Sequence, residues 1–224
     1  MSPSACEPVA DGRPPAALVI PTYLPGEMLH VHRQIAGLRR YRPLVLTRKT
    51  RNLEQFGGPE LRILRRPLLR ELRRFWARRV ARRPLVALRS EARALEAALA
   101  AADARVVHFY FGQNALYWRP WLARRGRPVV VSFHGADGAV GMTGAAARRE
   151  LQVVFAACDL VLARSRELAD AVAGLGCERT KLRVHHAGVP LARVAGEPRR
   201  LPAGGELILV QACRLIEKKG VDDT

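Results

Sequence analysis

Long apolar runs, paired cysteines and acidic side chains are all scarce in this chain, and each scarcity excludes something. No stretch approaches the roughly 18 consecutive apolar residues of a membrane-spanning helix. The best candidate, Leu151–Ala163, is broken by Gln152 and Asp159. The opening residues, MSPSACEPVADGRPPAA, hold no apolar signal core and place Glu7 and Asp11 early, which argues against a secretory leader. Residues 1–15 read as a Pro-rich, disordered lead. The cysteines, Cys6, Cys158, Cys177 and Cys213, have no metal-ligand spacing, and three of them sit in apolar or small-residue runs. They read as free thiols in a reducing cytoplasm, and no metal site is expected.

Acids number 20 against 38 basic residues, giving a formal net charge of +18. Lysine occurs only at positions 49, 181, 218 and 219, so 34 of the cations are arginines. A GC-rich coding bias explains arginine over lysine but not the excess of cations over anions. So positive a field favours anionic partners: a membrane surface, nucleic acid or phosphorylated substrates.

What is present is ample for a core. The chain is 49% apolar over 224 residues, enough for one large α/β domain or two small ones. Short β-branched runs alternate with longer helical stretches. Strands are expected at Ala16–Pro21, Pro43–Arg48, Leu61–Leu64, Arg105–Phe111, Pro128–Gly135, Asp159–Arg164 and Lys181–His186. Helices are expected at Gly26–Arg40, Pro67–Ala102 (broken at Pro84), Asn114–Arg125, Gly144–Ala157 and Arg166–Leu175. Such alternation predicts a doubly wound parallel sheet covered on both faces, with ligands at the carboxyl ends of its strands. The loops after Ile20, Phe111, Phe133, Arg164 and His186 are therefore where chemistry is expected. Residues 191–206 have linker composition, separating a domain over 16–190 from the start of a second over 207–224. There, the buried-type run Leu207–Leu215 leads into a basic turn ending at Gly220, the opening of a nucleotide-binding βα unit.

The segments PVVVSFHGAD, CDLVLARSRELADAVAGLGCERTKLRVHHAGVPL and LILVQACRLIEKKGVDD resemble glycosyltransferase family 4, retaining enzymes of the GT-B fold. The segment LPGEMLHVHRQIAGLRRYRPLVLTR is similar to the branch that builds exopolysaccharide and colanic-acid-like chains. The resemblance runs from Ala16 to the end and is weakest between Lys49 and Asp103. It implies a nucleotide-diphosphate-sugar donor, a saccharide or polyprenyl-linked acceptor and no cofactor. It also implies that the family's donor domain continues beyond Thr224, so that this chain alone lacks activity.

The resemblance assigns Arg214 and Lys219 to the donor diphosphate, facing His134 across a cleft. Two fixed cations would stabilise the charge that develops on the leaving diphosphate. The alternative is a solvated basic turn. His134 matches the histidine that contacts the transferred sugar near the reaction centre; the alternative is a hydrogen-bonded structural histidine. Gly135 permits close backbone approach. Asp137 either binds acceptor or caps a helix. His108 lies in VVHFYFG, where related proteins often carry a second histidine at the position of Tyr110; His108 is either structural or catalytic. Gly26 and Glu27 are what remains of a glycine-rich loop that approaches donor phosphate in the wider family. Arg164 and Ser165 match a strand-end pair, with Ser165 equally read as a helix N-cap. Adjacent His185 and His186 are weak evidence for a metal, because neighbouring strand residues point to opposite faces.

Between Leu64 and Pro84, Leu68, Leu69, Leu72, Phe75, Trp76 and Val80 form one helical stripe flanked by arginines. This is the pattern of a helix lying in an anionic membrane interface, or else of a domain helix with a solvated arginine face. The expected location is cytoplasmic, peripheral at the inner face of the membrane. Three functions compete: a surface-polysaccharide glycosyltransferase, a non-catalytic acceptor- or membrane-binding fragment, and a basic nucleic-acid-binding protein. The third lacks an aromatic stacking platform or a reading motif, so no nucleic acid is expected.

Overall fold

The computed structural model describes residues 12–56, 58–64, 70–80, 85–124, 126–135, 145–191, 196, 210–213, 215 and 220–221; residues 27, 70, 71, 74, 78 and 145–147 are described by backbone alone. Two compact units result, Met1–Val189 and Pro190–Thr224. In the second, Val210 and Leu215 are exposed. The described residues of the predicted Leu207–Leu215 strand are not in strand conformation, and Arg214 and Lys219 lie outside the described residues.

The first unit carries seven strands: β1 (Pro15–Ile20), β2 (Arg42–Thr47), β3 (Glu60–Ile63), β4 (Val106–Tyr110), β5 (Val129–Phe133), β6 (Leu160–Ala163) and β7 (Leu182–Val184). Every pairing is parallel, in the order β3-β2-β1-β4-β5-β6-β7. The described helices are α1 (Leu29–Ala36), α2 (Arg70–Arg79), α3 (Arg89–Ala101), α4 (Gly112–Leu122), α5 (Ala145–Ala157) and α6 (Arg166–Gly174). Each of the seven strands expected in this unit is present to within two residues. Helix α1 is shorter than Gly26–Arg40: residues Gly26–Met28 form a 3-10 turn, and the helix ends at Ala36, where Gly37 caps it by donating its N–H to Arg33 O at 3.0 Å.

Strand alternation sorts the core into two clusters. One face of the sheet, with Ala17, Val19, Leu44, Leu46, Val107, Phe109, Val129, Val131 and Val161, packs against α3, α4, α5 and α6. The fully buried Leu95 and Leu99 of α3, Trp118 of α4 and Leu151 of α5 anchor this layer. Each such side chain contributes roughly 1.5–3 kcal/mol of burial. The opposite face, with Leu18, Ile20 and Val45, packs against Val31 and Ile35 of α1.

Described helices lie on both faces, as the doubly wound pattern predicts, though in unequal number. Right-handed crossovers out of β4, β5 and β6 place α4, α5 and α6 on a single face. On the other face α1 packs over β1 and β2. The facing side chains of β4, β5 and β6 instead line an open groove of about 630 Å³.

Packing at the start of α4 leaves no room for a side chain at Gly112. A Cβ there would lie 2.2 Å from Cε1 of Phe133, whose ring is fully buried. Gly112→Ala is expected to cost about 1–3 kcal/mol through overpacking. Gly26→Ala, with nothing within 4 Å of its Cβ, should change stability by less than about 0.5 kcal/mol. Urea unfolding of both variants measures the contrast.

Candidate functional site

Strands β1 and β4 are neighbours, and the chain leaves their carboxyl ends toward opposite faces: α1 on one, α4 on the other. This is the switch point at which open parallel sheets bind ligands. Its two edges are held rigidly. After β1, the loop pairs with the loop after β2 through a Tyr23–Thr50 bridge, with Tyr23 N–H donating to Lys49 O at 2.8 Å and Arg51 N–H to Tyr23 O at 3.0 Å. Asn52 Nδ2 donates to Leu24 O at 3.0 Å. After β4, Phe111 is held at φ 72° to turn the chain directly into α4. A non-glycine residue there stores roughly 1–3 kcal/mol of strain, of a kind that concentrates at functional sites. Buried Asn114, in the first turn of α4, donates Nδ2–H to Val19 O at 2.9 Å and ties the two edges together.

At this edge the structure gathers side chains from five elements. His134 follows β5, and its Nε2 lies 2.9 Å from Ser132 Oγ. Its ring sits 5.7 Å from that of His30 on α1, 5.6 Å from Tyr110 and 5.0 Å from Phe111. Arg164, just past β6, places Nη1 3.4 Å from His30 Nε2. A guanidinium can only donate, so Nε2 of His30 is the acceptor and its ring proton resides on Nδ1. His186 donates Nδ1–H to Arg164 O at 2.9 Å, and His185 N–H extends the β7 ladder to Ala163 O at 2.8 Å. His108 stacks on Tyr110 at 4.2 Å; its Nε2 is buried and has no hydrogen-bond partner among the described residues.

Burial governs the charge state of this cluster. It lowers His134 to about 3, with His30, Arg164 and His185 adding to the shift. His108 also falls to about 3 through burial and then through His134 and His185. His30 is lowered by burial and by Arg164. Burial raises the Tyr110 phenol, and it raises Tyr23 to about 12. At neutral pH these imidazoles and phenols are uncharged, and Arg164 is the fixed cation among them.

The residues singled out from the sequence separate here. His134, His108 and Arg164 converge on the groove, as do His185 and His186. Gly135 adopts φ 110°, a conformation that favours glycine. Gly26 has neither a positive φ nor a neighbour within 4 Å of its Cβ, so nothing in its geometry demands glycine. Ser165 is the N-cap of α6, its Oγ accepting from Leu168 N–H at 3.2 Å. The Glu27 side chain and all of Asp137 lie outside the described residues. His30 and Phe111 were not singled out. The sequence offers one signal for His30: a histidine early in the helix after β1, where a side chain reaches the switch point.

The profile of Glycosyltransferase Family 4 matches residues 28–193, from the start of α1 to just past β7. The chain belongs to glycosyltransferase family 4. No curated protein matches it. Among solved structures, the Anabaena protein HepE in complex with UDP superposes with a TM-score of 0.53 at 15% identity, over 80% of this chain and 45% of that one. A sucrose-phosphate synthase structure from Thermosynechococcus elongatus gives 0.50 at 14% identity, over 79% and 90%. A UDP-N-acetylglucosamine 2-epimerase from Rickettsia bellii gives 0.50 at 8%, over 78% and 45%. At these identities the likeness is one of fold, and this family 4 chain spans less than half the length of the HepE and epimerase chains.

Folded His108 and His134 stay neutral down to about pH 3, whereas unfolded histidines titrate near 6.5. Between those values the unfolded chain binds more protons, so stability is full above 6.5 and is lost as the pH falls. The loss is expected to reach on the order of a few kcal/mol. Urea midpoints measured across the acid range should show it, and His108→Asn should flatten the slope.

Proposed function

We propose that this chain supplies the acceptor-side domain of a retaining glycosyltransferase. In this reading the enzyme moves a sugar from a nucleotide-diphosphate donor to a lipid-linked saccharide in surface polysaccharide assembly, as in the exopolysaccharide and colanic-acid-type branch. The observation that carries it is the family 4 match over a domain whose switch-point cleft is built around His134. HepE, of like fold, is seen with UDP and with UDP-glucose, in keeping with a nucleotide-sugar donor. His134 is assigned to the transferred sugar. A neutral imidazole suits that task, because it can donate to or accept from a hydroxyl without a competing charge. Arg214 and Lys219 are assigned to the donor diphosphate. No cofactor is invoked, and residues 1–224 alone are proposed to lack turnover.

Helix α2 supports a position at the membrane. Leu72, Phe75 and Trp76, with Val80 just beyond, are 63%, 61%, 59% and 60% exposed and recur at helical spacing. Four large apolar side chains facing solvent between arginines fit an anionic interface, at the inner face of the cytoplasmic membrane in this reading. Among the described residues no helix is long and apolar enough to cross a membrane.

Two measurements test these assignments. In the active enzyme, His134→Ala is expected to lower kcat by about 100-fold or more, read as release of nucleoside diphosphate. Near-normal kcat would remove His134 from the reaction centre. The chain should co-sediment with vesicles containing anionic lipid and not with neutral ones, and Phe75→Ser with Trp76→Ser should abolish this. Equal binding to both vesicle types, or to neither, rejects the membrane role.

A further inference from the structure

A second concavity lies on the opposite face of the sheet from the switch-point groove, in the layer of helices. It encloses about 660 Å³ between α3 and the end of α4, and Leu88, Ala92, Pro120, Trp121 and Ala123 form its apolar floor. Polar clamps fix its walls. Ala87 N–H donates to Tyr117 O at 2.8 Å. Tyr117 OH donates to Glu91 Oε1 at 2.5 Å, and the Trp121 indole N–H donates to Glu96 Oε2 at 3.0 Å. Glu96 Oε1 accepts from Arg127. Glu96 is the one carboxylate among the described lining residues, against Arg89, Arg93 and Arg124. Among the described residues, none of these three arginines forms an ion pair or a side-chain hydrogen bond. Arg89 and Arg93 stand one turn apart on α3, where like charges repel. Arg124 lies just past α4, so the rim is positive on both sides of the floor.

We propose that this groove docks an acidic, amphipathic helix of a partner protein. Its apolar side chains lie on the floor, and its carboxylates meet Arg89, Arg93 and Arg124. Recognition of this kind uses anchors at i, i+3, i+4 and i+7, and each guanidinium can bind a carboxylate through two parallel hydrogen bonds. Charge selects the occupant. Helix α2 has exposed apolar side chains, but its sequence RELRRFWARR holds five arginines to one glutamate. A second copy of the chain brings a net charge of +18. The rim repels both. Nucleic acid matches the charge, but Trp121 is only 5% exposed and offers no ring face to a base. A bilayer meets protruding surfaces such as the exposed stripe of α2 and does not fill a concavity. A helix bearing carboxylates satisfies floor and rim together. The groove shares no described lining residue with the switch-point groove, and its occupancy does not depend on glycosyl transfer.

The test titrates the full 224-residue chain with two synthetic helical peptides of about four turns. Both carry leucines at i, i+3, i+4 and i+7; one is flanked by glutamates and the other by lysines. The three tryptophan indole N–H signals, followed by NMR, report on different places: Trp121 in the groove, Trp76 on α2 and Trp118 in the core. The glutamate peptide should shift Trp121, leave Trp76 in place and bind at least about tenfold more tightly than the lysine peptide. Arg89→Gln with Arg93→Gln should weaken it about tenfold. Ala123→Leu fills the groove at an exposed position and keeps every charge; it should weaken binding at least about fivefold. An unchanged Trp118 signal shows that each variant keeps the fold. An unmoved Trp121, a shift confined to Trp76, or equal binding of the two peptides would each overturn the proposal. So would full binding by Ala123→Leu, which would reduce the effect to general attraction to a basic chain. A larger Trp121 shift with dihexanoylphosphatidylglycerol than with the glutamate peptide would overturn it in favour of a lipid site.

Discussion

The parallel pairing of β1 with β4 is the contact on which the rest of the molecule depends. It joins two runs of sheet that grow outward in opposite directions, β1 to β3 one way and β4 to β7 the other. Because each crossover is right-handed, the two runs send their helices to opposite faces. The carboxyl ends of β1 and β4 are therefore left open between α1 and α4, and the cleft arises from topology before any side chain is chosen. Side chains then fix its shape: Asn114 spans from α4 to the end of β1, and Phe111 accepts a strained φ to start α4 immediately.

The same topology explains the groove. Four helices crowd one face of the sheet, while α1 is the described helix on the other. Among the described residues, the β4–β6 side chains of that second face have no helix packed on them and line the groove. His108 stacks on Tyr110 and Ser132 meets His134, so polar groups occupy positions that an apolar layer would otherwise fill. Burying imidazoles beside one another and beside Arg164 costs them their charge. The buried rings of His30, His108 and His134 are consequently neutral at neutral pH, beside the guanidinium of Arg164.

How legible this was varies by element. The strands were plain because continuous Val, Ile and Leu runs such as VVVSF have one stable place, a sheet interior. Helix ends were less so: Gly37 cuts α1 short, although GLRR continues the amphipathic pattern beyond it. Ser165 satisfies both a family position and an N-cap by sequence, and the 3.2 Å bond from Leu168 N–H places it in the cap. His134 and Arg164 could be placed at strand ends from sequence alone, and His108 inside or at the end of a strand; it lies in the middle of β4. Their partner His30 could not, because a helical residue reaches the switch point only through the angle at which α1 crosses the sheet.

The sequence by itself determined the strands, their parallel alternation with helices, the basic charge and the family, because these are properties of local pattern and composition. The tertiary structure decided which face carries the groove and which histidines meet. Those depend on crossover direction and on contacts between residues as far apart as His30 and Arg164. No local pattern encodes such contacts, since they exist only once the sheet has ordered its strands.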